Sequence, residues 1–219
     1  MERTQTIYDG VNRAVLSLVP PSAARILDVG CGTGVFGEQL RRQRERFVAG
    51  ITYSAQEAEL ASKRLSQVYC ADLTGFDFSS LGKFDCVILS HILEHLQSPD
   101  ELLDRIKIVL GPESVVVVAL PNVVWWRQRL QFVIGRWRYQ DWGILDRTHF
   151  RFFDKKSSAE LLEDAGYEII QSKKDGPFPL LKPVRKLIGS WAERIDRFTS
   201  ELMPGLLAAQ FVYLARVKR

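Results

Sequence analysis

The chain has 219 residues, enough for one α/β domain with a sizeable core. Hydrophobic residues make up 46% and charged residues 26%, which excludes a disordered chain and a fibre. The net charge of +4 suits an anionic substrate or surface, but it is too small to mark a nucleic-acid binder, and no clear DNA-binding feature is present.

The start, Met1-Glu2-Arg3-Thr4, has no apolar segment, so no signal peptide is expected, and no apolar run is long enough to span a bilayer. Cys31, Cys70 and Cys86 lack any CxxC spacing. They read as reduced thiols of a cytoplasmic protein.

Residues from about 4 to 19 read as a helix with Ile7, Val11, Ala14, Val15 and Leu18 on one face, stopped by Pro20-Pro21. Strands are expected at Arg25–Val29, Phe47–Ile51, Val68–Ala71, Phe84–Leu89 and Ser114–Leu120, with helices at 35–44, 55–65 and about 99–109 between them. The fourth and fifth strands are nearly continuous apolar runs, as parallel strands covered on both faces should be. The alternation predicts a doubly wound, Rossmann-like, mostly parallel sheet.

From Asn122 to Phe153 the pattern becomes rich in Trp, Arg and Tyr without a clean period. This stretch, about 122–155, is expected to be an insertion forming a substrate-side lid. A helix comes next at 157–165 with Gly166 as its stop, then a strand at Tyr167–Ser172. A basic amphipathic segment spans about 177–205. The alternating Ala208–Val217 closes the chain as a final strand, which a hairpin-like return would make antiparallel.

The chemistry-bearing motif is Ile26-Leu27-Asp28-Val29-Gly30-Cys31-Gly32-Thr33-Gly34. Three glycines follow a strand and precede a helix, where a backbone can approach a ligand closely. Open α/β sheets bind ligands at the carboxyl ends of their strands, so this loop marks a nucleotide-type pocket. Gly32-Thr33-Gly34-Val35-Phe36-Gly37 also spells the dinucleotide fingerprint GxGxxG. That reading needs an acidic residue at the end of the second strand, where Thr52 stands. A tight turn without a ligand is the remaining alternative.

Taken with other segments, the loop resembles motif I of class I S-adenosylmethionine (SAM)-dependent methyltransferases. Cys70-Ala71-Asp72-Leu73 resembles the family's third-strand segment. Phe84 through Leu96, with its LEHL turn, resembles the fourth, and Leu120-Pro121-Asn122 the end of the fifth. The resemblance covers roughly residues 20 to 172. It implies a seven-stranded sheet with a reversed last strand. It also implies that Gly30, Gly32 and Gly34 line the methionine part of SAM and that Asp28 orients the loop and the amino group. Asp72 and Leu73 would flank the adenine, with Ser90 and His91 under the sulfonium. Thr52 and Tyr53 hold the ribose position, where the family commonly has Asp or Glu; Glu57, one helical turn on, is the candidate substitute.

His91, Glu94 and His95 share one face of a helical turn, and His149 lies in Asp146-Arg147-Thr148-His149-Phe150-Arg151-Phe152-Phe153. These four are candidate ligands for a divalent metal. A similar Glu/His cluster holds such an ion in ubiquinone-biosynthesis O-methyltransferases and small-RNA 2′-O-methyltransferases, which usually carry Glu at the position of His91. The expectation here is SAM without a metal. In that case Glu94 and His95 orient the loop, and His149 first, His91 second, is the general base that methyl transfer to a hydroxyl needs.

The lid's mix of tryptophan and arginine would suit bases, sugars or phosphates, or would pack on the core with its arginines in water. With DRTHFRFF, it resembles the methionine-biosynthesis W-type and polysaccharide-associated methyltransferases. In the tail, Val184, Leu187, Ile188, Trp191, Ile195 and Phe198 alternate with Lys182, Arg185, Lys186, Arg194 and Arg197. Such a helix can contact a membrane through 182–203. The expectation adopted is that its apolar stripe packs on the domain. The functional expectation is a SAM-dependent O-methyltransferase acting on a small molecule, a glycan precursor or a lipid-linked acceptor. An RNA-end 2′-O-methyltransferase and a non-catalytic SAM-binding partner subunit are the alternatives.

Overall fold

The structure is a computed structural model and describes residues 11–219. Most of the first expected helix, before residue 11, lies outside the described residues. Within them that region holds one short helix, α1 (Arg13–Leu16), capped by the Asn12 side chain.

Seven strands form one sheet in the order β3-β2-β1-β4-β5-β7-β6. They are β1 (Arg25–Val29), β2 (Phe47–Thr52), β3 (Gln67–Cys70), β4 (Phe84–Ser90), β5 (Leu110–Pro121), β6 (Tyr167–Asp175) and β7 (Gln210–Val217). β1 to β5 pair in parallel. β7 runs antiparallel to both β5 and β6, so β6 points the same way as β5. The reversed last strand is therefore as expected.

Two hydrophobic clusters cover the two faces of the sheet. Leu27, Val29, Leu89 and Val118 belong to one, and Ile26, Val48, Ile88 and Val117 to the other. The alternation along each strand explains why these runs are apolar throughout. Helices α2 (Val35–Gln43), α3 (Ala55–Ser62), α4 (Pro99–Arg105) and α6 (Lys155–Asp164) supply the crossovers and flanks. α3 stops three residues short of the expected end, and α4 passes into a 3₁₀ turn at Ile106–Val109. α6 begins earlier than expected because Asp154 and Ser157 form a reciprocal capping box ahead of it.

The 122–155 insertion contains one helix, α5 (Trp126–Val133), none of whose residues is buried. It is stitched down at its base. The Asn122 side chain donates to Ala208 O at 2.7 Å, and Trp125 Nε1 donates to Leu207 O at 3.2 Å. Further out, Trp137 stacks on Phe132 with ring centroids 5.0 Å apart.

The tail forms α7 (Lys182–Ile188), α8 (Ser190–Leu202) and α9 (Pro204–Leu207), with Gly189 as a break between the first two. The expectation that its apolar stripe packs on the domain is corrected by the structure. α8 turns Ala192 and Ser200 inward, while Trp191, Phe198 and Leu202 are exposed. Its anchoring is polar: Asp196 accepts from the Phe178 backbone N–H at 2.8 Å and from Arg185 at 2.6 Å, and Ser200 donates to Gly176 O.

Candidate active site

The carboxyl ends of β1, β2 and β4 are brought side by side by their registers, Val29 opposite Ile51 and Leu89. The glycine loop leaves β1 there. Gly30, Gly32 and Gly34 have φ of 80°, 52° and 80°, a left-handed region that costs other residues about 1–2 kcal/mol each. The Gly30 and Cys31 amides both donate to Ile51 O at 2.9 Å, which ties the loop to β2. A Cβ on Gly30 would stand 2.8 Å from Ile92 Cδ1, so the loop and the segment after β4 are in direct contact.

Asp28 is buried behind the loop, and burial pushes its carboxyl up to about 7. Thr52 ends β2, also buried. Its Oγ1 donates to Glu57 Oε2 at 2.7 Å. Glu57 Oε1 lies 4.0 Å from the point a Cβ on Gly32 would occupy. A carboxylate thus stands at the carboxyl end of β2 although position 52 lacks one. Tyr53 is exposed beside it. Beyond β3, the exposed Asp72 accepts from the Thr74 backbone and hydroxyl at 2.9 and 2.7 Å, bonds that hold its pKa below the usual carboxylate value. Leu73 is half-buried, and its carbonyl accepts from Arg105. Ser90 closes β4, half-buried.

His91, immediately after β4, is the sole non-glycine residue with positive φ among the described residues, at 55°. Strain of this kind collects at functional sites. His91 Nδ1 is 3.2 Å from Glu94 Oε1, and its Nε2 is 2.9 Å from Gln210 Oε1. Desolvation pulls its pKa down, but the Glu94 bond and charge and the Gln210 bond outweigh it, and the net shift is upward. Both neighbouring atoms are acceptors, an arrangement that favours the protonated ring, in line with the upward shift.

Glu94, His95 and His149 form a separate group: one ligand atom from each lies within 4.8 Å of the other two. His91 is not a member. Glu94 is 1% exposed, and its Oε2 has no hydrogen-bond partner among the described residues. An unpaired buried oxygen of this sort costs about 1–3 kcal/mol. The two imidazoles are oriented from behind. Thr148 Oγ1 donates to Asp146 Oδ1 at 2.7 Å, so its oxygen accepts from His95 Nδ1 at 2.9 Å. His149 Nδ1 donates to Ile144 O at 3.1 Å. In the neutral ring this places the proton on Nδ1 and the lone pair on Nε2, and the two ring centroids are 4.6 Å apart. For His149, desolvation is the largest influence and the net pKa shift is downward. The Glu94 carbonyl also accepts from the Phe150 and Arg151 amides, which fastens the end of the 122–155 stretch to the segment after β4.

A free carboxylate oxygen and two lone-pair nitrogens, each imidazole held through its other nitrogen, make a donor set that fits a divalent ion such as zinc. Sequence reasoning missed Gln210 as a partner of His91, which only the fold brings near. It also missed the Asp146–Thr148 brace on His95, although Asp-x-Thr is a pattern that turns back on itself.

A strand-one glycine loop beside a carboxylate at the end of β2, on a seven-stranded sheet with a reversed last strand, is the architecture this chain shares with solved methyltransferases. The chain belongs to the family described as Methyltransferase domain, matched over residues 2–172. It is similar to the O-methyltransferase cnsE of Penicillium expansum, 32% identical over 126 residues, 54% of this chain and 46% of that protein. A ubiquinone biosynthesis O-methyltransferase of Psychrobacter cryohalolentis is 29% identical over 106 residues, 45% of this chain and 41% of that protein. The chain thus spans less than half the length of these curated relatives. Among solved structures, a SAM-dependent methyltransferase from Archaeoglobus fulgidus shares the fold at a TM-score of 0.60 and 19% identity, covering 89% of this chain and 86% of that one. The plantazolicin methyltransferase BpumL, solved in complex with SAH, does so at 0.61 and 17%, covering 94% and 80%. The chain carries a methyltransferase domain, and this family match favours a methyltransferase loop over the dinucleotide reading of its glycines.

Proposed function

We propose that this methyltransferase transfers its methyl group to a hydroxyl of a small molecule or glycan precursor, and that the Glu94/His95/His149 group handles the acceptor oxygen. The observation that carries this reading is the pair of imidazoles held through Nδ1, an arrangement that in the neutral tautomer leaves Nε2 free for the acceptor. Methylating an oxygen requires a proton to leave it, and His149 Nε2, with its lowered pKa, is the group to take it. The activities of the two curated relatives, both O-methyltransferases, support an oxygen acceptor. The likeness to polysaccharide-associated methyltransferases supports a glycan or lipid-linked one.

On the cofactor side, Gly30, Gly32 and Gly34 line the methionine part of SAM and Asp28 sets the loop. Glu57 Oε1 receives the ribose hydroxyls, steadied by Thr52 through Oε2. Asp72 and Leu73 flank the adenine, and Ser90 and His91 border the sulfonium. His91 Nδ1, 3.2 Å from Glu94 Oε1, holds that carboxylate in place. The protein's contribution is alignment of acceptor oxygen and methyl group, together with proton acceptance.

A second reading is favoured by one observation, the partnerless Glu94 Oε2. Glu94, His95 and His149 would hold a divalent cation, which when bound lowers the pKa of an acceptor hydroxyl. The deciding experiment is labelled-methyl transfer from SAM to panels of glycan, quinol and RNA acceptors, with and without a chelator. Transfer to a hydroxyl acceptor is expected. Transfer confined to nitrogen or carbon acceptors would refute the oxygen reading, and transfer to RNA ends alone would refute the small-molecule one.

A further inference from the structure

α7 and α8 emerge after β6 and return into β7. Because Asp175 and Pro121 both face Gln210, the carboxyl ends of β5 and β6 flank the start of β7. The helical pair therefore stands on the same edge of the sheet as the candidate site, and Gln210 itself touches His91. No helix among the described residues is long and apolar enough to cross a membrane.

The amphipathicity of this pair is turned inside out. Trp191, Ile195, Phe198 and Leu202 follow the 4-3-4 spacing of one helix face. That face looks to solvent: Trp191 is 62% exposed, Phe198 68% and Leu202 67%, and on α7 Leu187 is 86% exposed. The face turned to the domain carries small or polar side chains, Ala192, Asp196 and Ser200. Isolated exposed apolar residues need no explanation, but a continuous stripe across two helices does.

The charges sort in the same way. The acidic groups of the segment are spoken for by nearby cations: Asp196 by Arg185, Glu201 by Lys174 and Glu193 by Arg13. Lys186, Arg194 and Arg197 pair with no carboxylate among the described residues, and all three are exposed. Arg194 lies over the Trp191 ring at 4.7 Å, which puts a cation on the aromatic member of the stripe.

We propose that α7 and α8 are an interfacial anchor that lays this stripe into an anionic lipid surface, with Lys186, Arg194 and Arg197 at the headgroups. Apolar and aromatic residues on one face, flanked by unpaired cations, match what such a surface takes up. A twofold contact with a second copy would bring the patch against itself and set those same cations against each other. Docking would turn the carboxyl edge of the sheet toward the lipid. The anchor does not depend on the identity of the methyl acceptor, so its failure leaves the transferase reading intact.

The test is flotation of the whole protein with vesicles of phosphatidylcholine alone or mixed with phosphatidylglycerol. Flotation with the anionic vesicles only, weakened by salt, is expected. Trp191→Ser with Phe198→Ser should reduce it about tenfold or more while SAM affinity, read by calorimetry, stays unchanged. Arg194→Glu with Arg197→Glu, which leaves the packed face untouched, should abolish it. Absence of flotation, or equal flotation with neutral vesicles, would overturn the proposal. So would a dimer seen by sedimentation equilibrium that the serine pair dissolves, because a second copy would then cover the stripe.

Discussion

Thr52 Oγ1 donates to Glu57 Oε2 at 2.7 Å, and through that bond a helix residue supplies the carboxylate that the end of β2 lacks. Glu57 sits in the first turn of α3, its backbone N–H donating to the capping Ser54. One of its oxygens is held and the other is left toward Gly32. Glu57→Gln should weaken SAM binding about tenfold, roughly the loss of one charge-assisted hydrogen bond. Thr52→Val should weaken it less, because the carboxylate survives but loses its brace. Isothermal calorimetry on both variants checks this, and unchanged affinity in Glu57→Gln would remove Glu57 from the ribose site.

Asp28 makes stability and binding depend on pH in opposite senses. Its folded carboxyl takes a proton at about 7, against about 3.9 in an unfolded chain. Between those values the unfolded chain holds fewer protons, so this group makes the protein without SAM less stable as pH rises toward 7. SAM, whose methionine part is cationic, should bind more tightly as pH rises through 7 and the carboxylate forms. Asp28→Asn is expected to raise the melting temperature without ligand at pH 8 and to lower SAM affinity there. A lower melting temperature would show that the buried carboxyl stabilises the loop.

Gly32 is the open point of the loop, with φ of 52° and, among the described residues, only Glu57 Oε1 near its missing Cβ. Gly32→Arg should abolish SAM binding by filling the approach and engaging Glu57. Gly30→Ala acts differently. Its Cβ meets Ile92, so melting temperature should fall together with affinity, by an amount near the roughly 1–2 kcal/mol cost of a left-handed alanine plus displacement of Ile92. Thermal melts alongside calorimetry separate the two effects.

His149→Ala should lower kcat about 100-fold or more with little change in SAM affinity, the usual scale for a general base. Its pKa is below the ordinary histidine value, so the base is unprotonated at neutral pH, and kcat should fall only as pH drops through that lowered value. Chelation separates the two readings of the group. If chelator and His95→Ala reduce activity alike, the group holds a cation; if His149→Ala alone is severe, the proton-transfer reading stands.

The sheet was legible because its strands are short, apolar and punctuated by glycine and proline. β1, β2, β4 and β5 lie within a few residues of their expected limits. The glycine loop was legible for the same local reason. Glu57 was visible only as a candidate, since nothing in a linear reading says that its side chain turns back on Thr52. The tail was misread because spacing reveals that a helix has an apolar stripe but not which side the domain lies on. That was decided by Asp196, Ser200 and Ala192, small or polar residues on the other face, where bonds to Phe178, Arg185 and Gly176 fix the helix. His91 looked like one more ligand until the fold brought Gln210 from 119 positions away to its Nε2.

The central claim is that the loop from Gly30 to Gly34 holds SAM. Calorimetric titration of the purified chain with SAM and with its demethylated product, run beside Gly32→Arg, tests it most directly. Saturable binding of both by the unaltered chain and none by the variant is the predicted result. No binding of either ligand by the unaltered chain, or equal binding by the variant, would contradict it.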